Sequence, residues 1–388
     1  MIPDRTELRD ALAAAGADGW LLYAFHGLNP VATRVLGLSG LNTRRLFVLL
    51  PRDGEPVAVA HKIELAAVEG FPGRVLPYAR WEELHAALES VVAGRRLAME
   101  ISPDDAVPYL DRVPYGVVEL VRRLGGTVVP SGPLVSRFAA GWTAAEEADH
   151  RFAAEVLAEV ARTELARAVR EGDAALTETA LQARVVAAVE ARGLVFDTLP
   201  IVAFGVNSAN PHYEPHAGRD ATLRRHEVVL LDLWAGRSRE TVFADQTWMG
   251  FAGSPVSARV ERVWETVRDA REAAVAAVRG AAAAGRPIAG YEADRAARSV
   301  IETAGFGDAF VHRTGHSIDR DLHGSGPHLD DYETHDDRRL VPGVGFSVEP
   351  GVYLPGEFGV RSEVNMHWGE AGPEVTPRAP QTELIVAA

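Results

Sequence analysis

The chain has 388 residues, of which 47% are hydrophobic and 24% charged, and its formal net charge at pH 7 is −14. This length and composition indicate a globular protein of two domains, and the acidic balance disfavours nucleic acid and anionic membranes as partners. Cysteine is absent, which excludes disulfides, zinc–thiolate sites and thiol nucleophiles. The sequence lacks a secretory signal pattern and any apolar run of membrane-spanning length, so we expect a cytoplasmic protein.

Residues 1–136 alternate between helix-like and strand-like patterns, which predicts a smaller α/β N-terminal domain. The predicted helices are Asp4–Ala15, Trp81–Val92 and Val117–Leu124. The predicted strands are Trp20–Ala24, Leu46–Leu50, Val57–Ala60, Leu97–Ile101 and Thr127–Val129. This domain has no glycine-rich phosphate loop and its acidic residues are scattered, so we predict no chemistry in it.

Residues 137–388 predict an α+β domain in which the order of elements repeats. A capping box formed by Thr143 and Glu146 predicts the start of a long helix. This first predicted helix runs from the capping box to about residue 170. The other predicted helices run from residue 177 to about 192, from Ser254-Pro255 to about residue 278, and over Tyr291–Thr303. The predicted strands are Leu199–Phe204, Glu227–Trp234, Thr241–Gly250, a strand around Phe310, Gly345–Pro350 and Val360–His367. Two successive helix–helix–strand blocks predict an internal pseudo-twofold repeat with a site where the halves meet.

Two aspartates lie in adjacent predicted strands. Asp232 interrupts an apolar strand, where an ionised carboxylate is costly unless it is paired, hydrogen-bonded or bound to a cation. Asp245 follows thirteen residues later, and the glycine and charges from Gly236 to Glu240 predict a hairpin turn between them. Such a hairpin brings the two carboxylates within reach of one ion. The alternative is a pair of aspartates on a solvated strand face.

Two glutamates follow the same pattern nearer the C-terminus. Glu349 ends an apolar strand, and Glu363 alternates with Arg361 and Asn365 on one predicted strand face. A face of this composition indicates either solvent or a polar site.

Four histidines lie in a glycine-rich segment between these acidic strands. They are His312, His316, His323 and His328. A single histidine is usually a surface or core residue, but four together favour a site. Four carboxylates and one imidazole form an oxygen-rich ligand set that suits two divalent ions, with Mn²⁺ preferred and Co²⁺, Fe²⁺ and Zn²⁺ as alternatives. Two such ions can activate a hydroxide and polarise a carbonyl or phosphoryl oxygen.

These motifs resemble the pita-bread metallopeptidases, in the branch of prolidase, Xaa-Pro aminopeptidase and creatinase. The resemblance covers about residues 140–388, and residues 1–135 resemble the branch's N-terminal domain more loosely. It is carried by the local sequences Thr314–His316, Val348–Gly351 and Val360–Glu363. It is also carried by the order of the five ligands, Asp232, Asp245, His316, Glu349 and Glu363.

The resemblance implies a role for each ligand. Asp232 and Asp245 would hold one ion, and His316 and Glu349 the other. Asp245 and Glu363 would bridge the pair. A hydroxide between the ions would attack the scissile carbonyl, with Glu349 moving its proton.

The resemblance also implies residues that contact the substrate. Pro200–Tyr213 resembles the family's substrate-contacting segment, which places its histidine at His212. His323 falls where the family has a second active-site histidine, and both would orient the substrate and stabilise the tetrahedral intermediate. His312 resembles a pocket-lining position, and Arg361 a partner of the carboxylates. A homodimer is expected on the same ground.

Three segments depart from the family pattern. The spacing between Asp232 and Asp245 is longer than in the peptidases, so we expect an enlarged hairpin beside the site. The usual Thr-Arg-Thr becomes Thr247-Trp-Met249, and the usual His-Gly-Ile-Gly becomes His316-Ser-Ile-Asp319. All five ligands survive these changes.

Three hypotheses follow. The first is a dinuclear-metal hydrolase that cleaves the bond before proline, as an Xaa-Pro dipeptidase or aminopeptidase acting on small peptides. The second retains the metals but hydrolyses a small non-peptide amide. The third is an inactive binding module, which the complete ligand set disfavours. A serine hydrolase is also disfavoured, because the sequence lacks a Gly-x-Ser-x-Gly motif.

Overall fold

The computed structural model describes residues 2–40, 42–171 and 175–387, and the chain forms two compact units, Met1–Ala139 and Ala140–Ala388. No helix within the described ranges is long and apolar enough to cross a membrane. Each unit is considered by itself below.

A six-stranded mixed sheet with helices on both faces forms the N-terminal unit. Its strands are β1 (Gly19–Ala24), β2 (Leu46–Pro51), β3 (Val57–His61), β4 (Arg74–Tyr78), β5 (Arg96–Met99) and β6 (Thr127–Pro130). Its helices are α1 (Arg5–Ala14), α2 (Pro30–Leu36), α3 (Trp81–Val92), α4 (Tyr115–Arg123) and α5 (Gly132–Phe138). The strand order is β4-β3-β2-β1-β5-β6, with β1–β2 and β2–β3 antiparallel and the other neighbours parallel.

The central strand β1 is buried on both faces because successive side chains enter different cores. Trp20 and Leu22 pack with α1, α2 and α5, whereas Leu21 and Tyr23 pack with α3 and α4. This double burial explains why β1 is apolar throughout. The sequence did not predict α2, α5 or β4, which are short elements of five to seven residues.

The C-terminal unit repeats the order helix, helix, strands. Its helices are α6 (Ala144–Glu171), α7 (Glu178–Glu190), α8 (Ala258–Ala283) and α9 (Gly290–Thr303). Its strands are β7 (Ile201–Phe204), β8 (Val228–Ala235), β9 (Ala244–Phe251), β10 (Ser317–Ile318), β11 (Gly345–Val348), β12 (Gly351–Leu354), β13 (Phe358–Arg361), β14 (Val364–Gly369), β15 (Gly372–Thr376) and β16 (Ile385–Val386). The sheets have the orders β16-β9-β8-β7, β10-β11-β14-β15 and β12-β13.

The hairpin of β8 and β9 separates two apolar cores. Val229 and Leu231 of β8 pack into the core that contains α6 and α7, whereas Val228 and Leu230 pack with α8, α9 and β11 to β14. By strand alternation, the side chain of Asp232 lies on the same face of β8 as those of Val228 and Leu230. Its carboxylate therefore lies on the side of the hairpin that faces the second half of the unit.

Three predictions about this unit are wrong. The helix expected from Ser254-Pro255 begins at Ala258, because Ser257 is its N-cap and accepts a hydrogen bond from the Val260 N–H. No strand forms around Phe310, which follows a 3₁₀ turn. The strand expected over 360–367 is two strands, β13 and β14, which are interrupted at residues 362–363. The capping box is confirmed, since Glu146 accepts from the Thr143 N–H at 2.8 Å.

A buried carboxylate organises one face of the N-terminal unit. Glu100, directly after β5, accepts hydrogen bonds from the Trp20 indole at 2.5 Å, the Asn29 amide at 2.7 Å and the Ser131 hydroxyl at 3.1 Å. Asn29 caps α2 and Ser131 precedes α5, so one side chain joins β1 to both helices.

Replacement of this acceptor should destabilise the protein strongly. We expect Glu100→Ala to lower the free energy of unfolding by about 3–5 kcal/mol, because it leaves three buried donors without an acceptor. Urea unfolding followed by tryptophan fluorescence measures the effect. The exposed Glu89 of α3 supplies the control, since Glu89→Ala should change stability by less than about 0.5 kcal/mol. Equal stability of the two variants would contradict this role of Glu100.

Candidate metal centre

The β8–β9 hairpin aligns two aspartates on one face. In its register Asp232 lies opposite Thr247 and Trp234 opposite Asp245, so the two aspartates are diagonal neighbours. The Thr247 hydroxyl lies between carboxylates, 3.1 Å from Asp232 Oδ1 and 2.8 Å from Glu363 Oε2. The predicted pairing of the aspartates on adjacent strands agrees with this geometry.

The two glutamates meet across a second antiparallel pair. Val348 of β11 lies opposite Val364 of β14. Glu349 directly follows the first residue and Glu363 directly precedes the second, so both acids project from the end of the same ladder. The Glu363 N–H donates to the Thr247 carbonyl at 3.4 Å, which joins this ladder to the β8–β9 hairpin.

His316 lies beside the four carboxylates because its backbone passes close to β11. The Glu349 N–H donates to the Thr314 carbonyl at 2.7 Å, and the His316 N–H donates to the Ser347 hydroxyl at 2.9 Å. Gly315 permits the crossing, since a Cβ at that position would lie 2.0 Å from the Ser347 carbonyl oxygen.

The five predicted ligands converge. Single ligand atoms of Asp245, His316 and Glu363 all lie within 4.8 Å of one another. The Nε2 atom of His316 is 3.5 Å from Asp245 Oδ2 and 3.4 Å from Glu349 Oε1. Asp232 joins the group through the hydroxyl of Thr247 and through Arg361, whose Nη2 bonds its Oδ2.

The residues present fit divalent cations. Asp245 Oδ1 and Glu363 Oε1 are buried and have no hydrogen-bond partner among the described residues. A buried carboxylate oxygen without a partner is costly. Carboxylates and one imidazole are the donors that Mn²⁺ and similar ions accept, so a cation would satisfy these orphaned oxygens.

The crowding of charge shifts the protonation of the acids. Burial raises the pKa of Asp232 to about 7, although Arg361 acts in the opposite direction. Burial and the nearby Asp245 raise the pKa of Glu363 well above its usual range. Without cations, the carboxylates therefore resist full ionisation, because their charges repel in a desolvated space.

The pKa values of Glu349 and His316 shift in opposite directions. Burial works against the ionised form of Glu349, but the charges of His316 and His312 lower its pKa. Burial likewise opposes the protonated form of His316, but its hydrogen bond to Asp245 and the charge of Glu349 raise its pKa. Each side chain therefore favours the charged form of the other.

Arg361 connects the carboxylates to two further polar side chains. Its Nε donates to the Thr247 hydroxyl at 2.9 Å, and its Nη1 donates to the Tyr353 hydroxyl at 3.1 Å. His312 Nε2 lies 2.9 Å from the same Tyr353 hydroxyl. His312 is therefore held by an internal network, and burial lowers its pKa.

The other two predicted histidines, His323 and His212, lie on the solvent-exposed side of the carboxylate cluster. The ring of His323 is 4.2 Å from that of His316, measured between centroids, and the charge of His316 lowers the pKa of His323 to about 4. His212 is exposed, and its N–H donates to Asn210 Oδ1 at 3.1 Å. Because its pKa is lowered to about 4, His323 is neutral at pH 7.

One cleft of about 480 Å³ unites these groups. Its lining includes every predicted site residue, namely His212, Asp232, Asp245, His312, His316, His323, Glu349, Arg361 and Glu363. Apolar surface comes from Ile201, Trp234, Val311 and Leu322. The rim carries an ion pair in which Arg313 Nη2 lies 2.9 Å from Glu333 Oε2.

Sequence reasoning missed several side chains that hold this site. They include Ser347, which donates to Glu349 Oε1 at 3.0 Å, and Tyr353, which accepts from Arg361 Nη1. Asn365 was predicted to share a face with Glu363, and its Oδ1 accepts from the Asp245 N–H at 2.9 Å. Thr247 was noted only as a departure from the family pattern. Strand alternation could have found it, because it lies two residues after Asp245 on the same face.

Residues 148–369 match the sequence profile of Metallopeptidase family M24. The chain belongs to this family. An M24 relative in Mycobacterium tuberculosis, named "Probable dipeptidase PepE", is 29% identical over 348 residues, which cover 88% of this chain and 86% of the relative. The Xaa-Pro dipeptidase of Lactobacillus delbrueckii subsp. lactis is 36% identical over 168 residues, which cover 43% of this chain and 41% of the relative.

The solved structures agree with the M24 assignment. Dipeptidase PepE from Mycobacterium ulcerans has a TM-score of 0.76 and 25% identity, covering 99% of this chain and 96% of that one. The predicted family, the pita-bread fold class and the metallopeptidase-type hydrolase activity are confirmed. Membership of M24 implies divalent metals.

Addition of Mn²⁺ to the chelator-treated protein should stabilise it. At a free metal concentration of 100 times Kd, one site contributes about 2.7 kcal/mol, or roughly 5 °C or more in the unfolding midpoint. We expect Asp245→Asn and Glu363→Gln to weaken this shift while remaining folded without metal, because each replaces an acid whose ionised form the buried site opposes. Differential scanning calorimetry measures both effects.

The exposed Glu240 on the same hairpin connection supplies a matched control. Glu240→Gln should retain the full response to Mn²⁺. A shift of equal size in Asp245→Asn and wild type would exclude this carboxylate as a ligand.

Proposed function

We propose that this M24 peptidase is a dipeptidase that cleaves Xaa-Pro dipeptides with two divalent ions, preferably Mn²⁺, bound in the cleft. The observation that carries the proposal is the convergence of the complete ligand set with His212 and His323 around one cleft of about 480 Å³. The relatives named dipeptidase and Xaa-Pro dipeptidase support this choice of substrate.

The ligands are proposed to divide as follows. Asp232 and Asp245 hold one ion, and His316 and Glu349 the other, with Asp245 and Glu363 shared. Two features support this division. His316 Nε2 is 3.4 Å from Glu349 Oε1, and both Asp245 and Glu363 keep one buried oxygen without a partner among the described residues.

Bound divalent ions supply a water nucleophile at neutral pH and polarise the scissile carbonyl. Glu349 is proposed to accept the proton released from the water and to pass it to the leaving nitrogen. The Ser347 hydroxyl donates to Glu349 Oε1 at 3.0 Å and orients the carboxylate for that task.

His323 and His212 are proposed to orient the substrate from the open side. His323, whose ring lies 4.2 Å from that of His316, can donate a hydrogen bond to the substrate carbonyl as charge develops on the oxygen. His212 lines the cleft from an exposed loop, where it can contact the other end of a short peptide.

The size and walls of the cleft favour a small substrate. A volume of about 480 Å³ lies within the range of small-molecule sites, roughly 300–1,000 Å³. Ile201, Val311 and Leu322 provide apolar surface against which a proline ring can pack.

The Mn²⁺-loaded protein should hydrolyse Leu-Pro faster than Leu-Ala, the tripeptide Leu-Pro-Gly or small non-peptide amides. Amine release measured under steady-state conditions tests this order. Preference for the tripeptide would indicate an aminopeptidase instead, and preference for a non-peptide amide would support the second hypothesis. No activity on any Xaa-Pro peptide would overturn the proposal.

Removal of the His323 imidazole should lower kcat about 100-fold without loss of metal, because a donor to the developing oxyanion is lost. His216, an exposed histidine four residues after His212, supplies the control, since His216→Ala should retain wild-type kcat. Metal content by atomic emission and steady-state kinetics measure both variants. An unchanged kcat in His323→Ala would remove His323 from the proposed mechanism.

A further inference from the structure

The carboxylate of Asp319 closes the loop that presents His323 to the cleft. We propose that Asp319 is a positioning residue that fixes this loop, residues 319–325, and thereby holds His323 beside His316. The inference rests on the proposed function for its kinetic consequence, but the contacts themselves do not depend on it.

The carboxylate of Asp319 ties both ends of the loop. Oδ1 accepts from the Asp321 N–H at 2.8 Å, and Oδ2 accepts from the Ser325 N–H at 2.9 Å. Two backbone bonds close the same loop, from the Asp319 N–H to the Asp321 carbonyl at 3.1 Å and from the Gly324 N–H to the Ser317 carbonyl at 2.7 Å. His323 lies between the two tied ends.

The packing around the carboxylate is tight. Asp319 is 5% exposed, so its charge is removed from water and depends on these donors. A Cβ on Gly324 would lie 2.7 Å from the Asp319 Cγ and 2.8 Å from its Oδ2. Gly324 therefore permits the close approach, and a larger residue there would displace the carboxylate.

The position of His323 depends on this closure. His323 directly precedes Gly324, whose N–H completes the loop, and its ring centroid is 4.2 Å from that of His316. His323 belongs to the exposed residues, so its position depends on the closure of the loop as well as on the ring contact with His316. A glycine at position 319 would have no side chain to accept from the Asp321 and Ser325 N–H groups.

The kinetic test is a double-mutant cycle in the Mn²⁺-loaded protein. We expect Asp319→Ala to lower kcat about 10–100-fold with unchanged metal content, because a displacement of about 1 Å costs a catalytic group most of its effect. In a His323→Ala background the same change should have no further effect, since it acts through that histidine. An equal loss in both backgrounds would overturn the inference.

Hydrogen exchange provides a readout independent of activity. Asp319→Ala should speed amide exchange in the peptide that covers residues 320–326, and Gly324→Ala should do the same by displacing the carboxylate. Asp319→Asn, which keeps one acceptor oxygen, should be intermediate. The exposed Asp321 supplies the control, because Asp321→Ala should leave exchange and kcat unchanged.

The two experiments separate this inference from the proposed function. If His323→Ala retains full activity, the proposed role of His323 fails, and exchange then decides whether Asp319 holds the loop. Unchanged exchange in Asp319→Ala overturns the inference, whatever the activity.

Discussion

Four carboxylates share a desolvated space beside the β8–β9 hairpin, and among the described residues only Asp232 has a guanidinium directly bonded to it. Buried like charges repel, and each loses hydration that a protein contact must replace. Asp245 and Glu363 keep an oxygen without such a replacement among the described residues. The site is therefore arranged for cations, and the surrounding fold must hold it together before they bind.

That support comes from residues outside the ligand set. Thr247 contacts two of the carboxylates, Ser347 fixes both His316 and Glu349, and the buried Arg271 donates to Ser362 at 2.7 Å. The last contact lies in the interruption between β13, which ends at Arg361, and β14, which begins at Val364. The interruption lets Glu363 meet Glu349 across the second ladder, while Arg361 remains directed at Asp232. Ligand geometry thus depends on contacts that carry no metal chemistry.

Much of this arrangement could be predicted from local patterns. Alternation and apolar runs were sufficient for β1, α3 and the β8–β9 hairpin, because those elements bury faces that their own sequences mark. The start of α8 and the break at residues 362–363 could not be predicted, since they depend on a cap choice and on Arg271, ninety-one residues from Ser362. Tyr353 was missed for a related reason, because His312 is forty-one residues away and Arg361 reaches it across the β12–β13 pair.

The three departures from the family pattern differ in where they act. Trp248 packs beneath α6 and α7 and Met249 packs in the opposite core, so neither is among the described residues that line the cleft. Trp248 and Met249 therefore affect the packing of the two cores. Within the triplet Thr247-Trp-Met249, only Thr247 contacts the carboxylates. By contrast, Trp234, near the end of β8, lines the cleft, and Asp319 closes the loop of His323. Because the ligand set is intact, any difference in substrate preference from the family's peptidases should originate in these two segments.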